Sequence, residues 1–148
     1  MLEEYWSWDD TEIESVHDFI QWMFPLDEPS AVNPDAPILT RDDKTLFRKD
    51  PLLQSSMSRS LLVFLNFLGL EMRYGQVVRG AQFTKRINIW QSPNHNWLRI
   101  TRMLESLRLL GFEKEAREVW NCLCKIHDEG YVSENSFEYW SEAAEGLD

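Results

Sequence analysis

Only two of the 148 residues are cysteine, Cys122 and Cys124, one residue apart in a segment of helical periodicity where their side chains diverge. That spacing excludes a mutual bridge and leaves no set of metal ligands nearby. Both are expected as buried or half-buried free thiols of a reducing compartment. Long apolar runs are missing as well. The longest, Leu61-Leu62-Val63-Phe64-Leu65, is interrupted by Asn66 and ends at Gly69, far short of the ~20 residues that cross a bilayer. Met1-Leu2-Glu3-Glu4 offers no basic leader, so neither export nor membrane insertion is expected and the cytoplasm is the expected location. There is no phosphate-binding glycine loop, no HExxH, no GxSxG and no DDxxD, so neither a metal nor a cofactor is expected. The pairs Asp9-Asp10 and Asp42-Asp43 are read as helix-start acids. Positive charge is scarce: 15 Lys+Arg face 25 Asp+Glu, a net −10, which argues against nucleic acid as a partner.

What the chain does contain is apolar and aromatic bulk. Hydrophobic residues make up 43% and seven are Trp, which excludes disorder. A single domain over residues 1–148 is expected, large enough to hold a core without a disulfide or metal. Ile13, Val16, Ile20 and Met23 form a helical stripe, predicting a first helix over Thr11–Met23 that Pro25 stops. Pro29, Pro34 and Pro37 impose an irregular segment up to Leu39. Thr40 with Asp43 reads as a cap for a short helix to Lys49, and Asp50-Pro51 opens a longer, largely apolar one closed by Gly69. That helix is expected to be the most buried. Residues 70–92 read as irregular and Arg-rich. Three more helices follow, from Ser92-Pro93 to Gly111, from Glu113 to Glu129, and from Ser133 through Trp140. No strand alternation is evident. The expectation is all-α, about six helices, with two irregular segments.

Against this acidic background, Arg73 to Arg108 holds seven basic residues and one acid, a local +6 that leaves −16 on the rest. Six of the seven are Arg, which grips carboxylates and phosphates bidentately. Arg99 and Arg102 sit three apart on one helix, and Arg86 precedes them. Either they clamp an anion, or they pair internally with acids such as Glu12, Glu14, Asp18 or Asp27.

Two stretches carry a resemblance. His17-Asp18-Phe19-Ile20-Gln21-Trp22-Met23-Phe24-Pro25-Leu26 and Asn94-His95-Asn96-Trp97-Leu98-Arg99-Ile100-Thr101-Arg102-Met103-Leu104-Glu105-Ser106-Leu107 are similar to segments of the opioid growth factor receptor conserved domain. Leu110-Gly111-Phe112-Glu113 continues the likeness, and Asn33, Ala36-Pro37, Leu39-Thr40, Ala81-Gln82, Lys85-Arg86 and Trp90 add to it. The likeness covers roughly residues 10 to 125. It implies an intracellular module whose animal relatives are receptors for an opioid peptide, associated with the nucleus, and which restrain growth. The chain is read as a stand-alone version, without the family's C-terminal extension and repeats.

Two functions follow as expectations. In the first, the chain is a binding module. Arg86, Arg99, Arg102, Asn94 and Asn96, with Trp22, Trp90 and Trp97 as aromatic wall, take a peptide or a small anionic molecule bearing a carboxylate or phosphate. In the second, it is a small metal-independent enzyme, an isomerase, cyclase or lyase. There His17 or His95 serves as acid or base and the arginines anchor the substrate. Against both stands a structural reading: His17 ties a helix in place, Asn94 and Asn96 cap another, and the tryptophans fill the core.

Overall fold

The computed structural model describes residues 2–16, 19–30, 33–91 and 94–147. The described residues are mostly helical, and a two-stranded hairpin is the one sheet among them. Two short helices come first, α1 (Leu2–Trp6) and α2 (Asp10–Ser15). Asp9 caps α2 in a reciprocal box with Glu12: Asp9 Oδ1 accepts from the Glu12 N–H at 2.9 Å and Glu12 Oε2 from the Asp9 N–H at 2.9 Å. A third short helix, α3 (Ile20–Met23), ends just before Pro25.

The continuous helix expected over Thr11–Met23 is therefore broken. Val16 is extended (φ −93°, ψ 127°), and the helical stripe resumes only at Ile20. The carbonyls of Ile13 and Val16 take side-chain donors from Arg99 instead of continuing a helical ladder. His17 and Asp18, expected on that helix, lie outside the described residues. The proline-bearing segment then folds back on itself, with the Leu39 N–H donating to the Leu26 carbonyl at 2.8 Å beside a parallel bridge between Leu26 and Ile38.

From residue 40 to Gly69 the punctuation read from the sequence is in place, whereas Ser92-Pro93, read as the start of a later helix, lies outside the described residues and Asn94 caps that helix. α4 (Arg41–Lys49) begins at a Thr40–Asp43 capping box, and α5 (Pro51–Phe67) begins at Asp50, whose Oδ1 accepts from the Leu52 N–H at 2.8 Å. α5 stops at Gly69, whose φ of +82° suits glycine. A Cβ there would lie 2.7 Å from Cα of Phe83.

Residues 70–91 are more regular than expected. β1 (Leu70–Arg73) and β2 (Gln76–Arg79) pair antiparallel, Leu70 opposite Arg79 and Arg73 opposite Gln76. Their two-residue turn, Tyr74-Gly75, has both φ positive, at 52° and 78°, the geometry that matches strand twist. Four-residue strands are too short to display alternation, and Tyr-Gly is not the usual Asn-Gly signal. A 3-10 turn (Thr84–Arg86) leads into α6 (Ile87–Gln91).

Three long helices complete the chain: α7 (His95–Leu109), α8 (Glu113–Asp128) and α9 (Glu134–Ala143). α7, not α5, is the more buried. Eight of its fifteen residues are buried, against six of seventeen in α5. The difference lies in polar residues that sequence patterning places outside: Asn96, Arg99 and Ser106 are all buried. A tryptophan cluster binds this half together. Trp140 lies edge-on to Trp90 and Trp97, with centroids at 6.1 and 5.9 Å, and its Nε1 donates to the Trp97 carbonyl at 2.9 Å.

The arginines serve this architecture in a recurring way. Arg86 Nε donates to the carbonyl of Phe67, the last residue of α5, at 2.9 Å. Arg48 Nη2 reaches that of Leu109, the last of α7, at 3.2 Å, and Arg108 Nη1 that of Ala143, the last of α9, at 2.9 Å. Helix C-termini carry unsatisfied carbonyls and partial negative charge, so a guanidinium from a neighbouring element both satisfies and attracts them.

Candidate functional site

Arg99 and Arg102 project from α7 toward the N-terminal segment. Arg99 is 4% exposed. Its Nη1 donates to the Ile13 carbonyl at 2.9 Å and to Asn96 Oδ1 at 3.0 Å, and its Nη2 to the Val16 carbonyl at 2.7 Å. The guanidinium carbon sits 4.8 Å from the Phe19 ring centroid. Burial pushes its pKa down to about 10, opposed by the Glu14 carboxylate, so the group stays charged at neutral pH and its bonds are charge-assisted. Arg102 Nε donates to the Phe24 carbonyl at 2.8 Å, and Ser106 Oγ to that of Pro25 at 2.7 Å. Burial lowers the Arg102 pKa too, opposed by Glu105 and Glu28. Residues 99, 102 and 106 thus form one hydrogen-bonding face of α7, whose acceptors in the N-terminal segment are the backbone carbonyls of Ile13, Val16, Phe24 and Pro25.

Arg86 is placed differently. Besides the Phe67 carbonyl it has Glu14 Oε2 at 3.8 Å from Nη2, and its guanidinium lies over the Phe67 ring at 4.5 Å. It lines a groove of about 330 Å³ between α2, the 3-10 turn, α6 and the start of α7. Lys85, Asn88, Asn94, Asn96 and Glu14 line it with Arg86. Asn94 caps α7, its Oδ1 accepting from the Asn96 N–H at 2.9 Å and its Nδ2 donating to the Ile89 carbonyl at 2.9 Å. Glu14 is the hub of this lining. It accepts from Asn96 Nδ2 at 3.0 Å and lies 3.4 Å from His95 Nε2.

The sequence-predicted residues therefore separate. Arg86, Asn94 and Asn96 come together at the groove, with His95 beside it. Trp90 and Trp97 lie in the core, their indole N–H groups donating to the carbonyls of Leu68 (3.1 Å) and Ile89 (2.5 Å). Trp22 is half-buried on α3, away from the groove lining. Of the acids considered as internal partners, Glu14 faces Arg86, Asp27 pairs with Lys44 at 3.1 Å, and Glu12 is occupied in the Asp9 box. Asp18 is outside the described residues. Lys85 and Asn88, both exposed at the groove, were not singled out from sequence; only Lys85 carried a signal, as part of the basic window. Among the described residues no group of His, Cys, Asp or Glu is arranged to hold a metal, and no helix is long and apolar enough to cross a membrane.

The groove is thus amphoteric: it brings two cations, Lys85 and Arg86, and the exposed Asn88 together with the Glu14 carboxylate. Such a site accepts one anionic group and offers an acceptor to a nearby N–H. A polyanion would meet Glu14 repulsion.

Comparison with known proteins places this architecture. No solved structure matches the chain significantly. It is 38% identical over 104 residues to the opioid growth factor receptors of Mus musculus and Homo sapiens, covering 68% of this chain but 16% and 15% of those proteins. It is 34% identical over 110 residues to the opioid growth factor receptor-like protein 1 of Xenopus tropicalis, covering 73% of this chain and 21% of that protein. The chain thus spans less than a quarter of the length of these relatives. The opioid growth factor receptor (OGFr) conserved region matches residues 1–143, wider than the 10–125 over which the resemblance was read. The two stretches that carried the resemblance are joined by Arg102 and Ser106, which donate to Phe24 and Pro25, and by the Arg99 guanidinium over the Phe19 ring. The chain belongs to the opioid growth factor receptor conserved-region family.

Proposed function

We propose that the chain is a binding module that takes a carboxylate-bearing peptide in the groove between α2, α6 and the start of α7. One observation carries the reading: a depression of about 330 Å³ collects Lys85, Arg86 and Asn88 with the Glu14 carboxylate. Lys85 and Arg86 hold the carboxylate, and Glu14 accepts from a neighbouring N–H of the same ligand. A carboxylate suits the groove better than a phosphate because its single charge is offset by the two cations despite Glu14. Arg99 contributes by holding Asn96 and the end of α2 beside Glu14, and Asn94 by capping α7 and donating to the Ile89 carbonyl. The mouse and human relatives are named for a growth factor that they receive, which supports a peptide as the ligand class.

Titration calorimetry with opioid growth factor, the ligand in the relatives' name, tests the proposal on wild type and Lys85→Glu. Lys85 is exposed, so reversing its charge leaves the core alone. The expected result is saturable binding that Lys85→Glu weakens about tenfold or more. Equal affinity in the two proteins overturns it.

A catalytic reading rests on the pair His95–Glu14, 3.4 Å apart beside the same groove. It predicts chemical conversion of a bound ligand that His95→Gln abolishes while binding persists. Recovery of the ligand unchanged removes it.

A further inference from the structure

We infer that this groove is one half of a two-part peptide site, whose other half is a tryptophan-walled depression beside α1, α2 and α5. The inference rests on the groove reading given above and adds a side-chain preference to it. The second depression, about 350 Å³, has Trp6, Trp8, Leu62 and Val63 as its apolar walls. Leu62 is 49% exposed, so half of its side chain is open to an apolar group of a ligand.

The walls are held before any ligand arrives. Trp6 Nε1 donates to Ser60 Oγ at 2.9 Å, and the Arg59 guanidinium lies over the Trp6 ring at 4.9 Å. Trp8 is fixed edge-on to Tyr5 and Phe19, with centroids at 4.8 and 5.6 Å. A preformed apolar wall of this kind binds without ordering its own side chains.

The two depressions adjoin. Ile13 lines the second and Glu14, its neighbour in α2, lines the first. Asn66 lines the second, and Arg86 of the first donates to the carbonyl of the next residue, Phe67. The Glu14–Arg86 pair, 3.8 Å apart, belongs to the first depression.

Charge selects the occupant. Asp10 lines the second depression, four positions before Glu14 in α2, so both carboxylates lie along one helix face. That edge offers acceptors to the N–H groups of an extended backbone. Lys85 and Arg86 then take a carboxylate at one end, and the tryptophan wall takes an apolar side chain at the other. The partner that fits is an extended peptide segment with an aromatic or large aliphatic residue a short distance before an acidic one.

The test uses the whole chain, ¹⁵N-labelled and titrated by NMR with two C-terminally amidated peptides, Ac-Phe-Ser-Ser-Glu-NH2 and Ac-Ala-Ser-Ser-Glu-NH2, each carrying a single carboxylate. The phenylalanine peptide is expected to bind about tenfold tighter, the gain from burying one ring, and to shift the Trp6 and Trp8 indole resonances. Leu62→Lys should reduce its affinity to that of the alanine peptide, Leu62→Ala should reduce it in part, and Lys85→Glu should weaken both peptides. Equal affinities for the two peptides, or a phenylalanine preference that survives Leu62→Lys, overturns the two-part site while the groove reading stands. If neither peptide shifts a resonance, both fall together.

Discussion

Arg99 donates to the carbonyl of Val16 at 2.7 Å across 83 residues of sequence, and the same guanidinium holds the Ile13 carbonyl and Asn96. One buried cation closes the end of α2, fixes a groove residue and lies over the Phe19 ring of the other family-like stretch. Arg99→Lys keeps the charge but cannot reach these acceptors in the same planar array. It should destabilise the fold by about 2–4 kcal/mol, read as a lower urea midpoint at unchanged m. A loss below about 0.5 kcal/mol would mean that this bonding contributes little. Loss of binding in Arg99 variants therefore reports on binding only beside a stability measurement.

Glu105 lines an acidic depression with Asp27, Glu28 and Glu113. Burial first, then the charges of Glu28 and Asp27, raise its pKa, opposed by Arg102. The folded state thus holds the proton more tightly than the unfolded chain. Its contribution to stability is full below the ordinary carboxylate range and is lost as pH rises through the raised folded value. Glu105→Gln should remove that loss. At pH 7 its Tm should exceed wild type by about 1–3 °C, an amount kept small by the group's partial exposure. The gain should vanish at pH 3.5. A gain that is constant with pH would assign the effect to packing.

Tyr74 occupies a turn position with φ 52° while its side chain is 100% exposed. An aromatic residue pays steric strain there without compensating contacts. Tyr74→Asn should stabilise by about 0.5–1 kcal/mol in thermal melts. Gly69→Ala should act in the opposite sense and more strongly, by about 2 kcal/mol or more, because its Cβ would meet the Phe83 backbone.

The two thiols should differ. Cys122 is 3% exposed and burial pushes it up to about 11, whereas Cys124 is half-buried. Iodoacetamide at pH 8 should alkylate Cys124 first and reach Cys122 only as the protein unfolds. Peptide mass mapping over a time course reads this order. Equal rates would contradict the burial of Cys122.

The elements legible in the sequence were those with local causes: the Thr40–Asp43 box, Asp50-Pro51, and the stops at Gly69 and Gly111. What stayed hidden depended on distant partners. The break after Ser15 exists because Arg99 supplies donors to Ile13 and Val16, and no local pattern encodes that. The hairpin was hidden by strand length and a Tyr-Gly turn. At the candidate site, Arg86, Asn94 and Asn96 were findable from charge and capping chemistry. Lys85 was visible as charge only, and Asn88 carried no signal. The arginine window itself was visible, but the chemistry of its acceptors was not: Arg86, Arg99, Arg102 and Arg108 all donate to main-chain oxygens.

That arrangement has a consequence for the order of folding. α2 and α3 have six and four residues, too few to persist alone, and their closing donors come from α7. During synthesis α2 and α3 should therefore form only after roughly eighty further residues have been added. Interactions of residues 13–25 should be absent from the rate-limiting step of refolding. The helices nearer the C-terminus form the template on which the earlier part of the chain is finally laid.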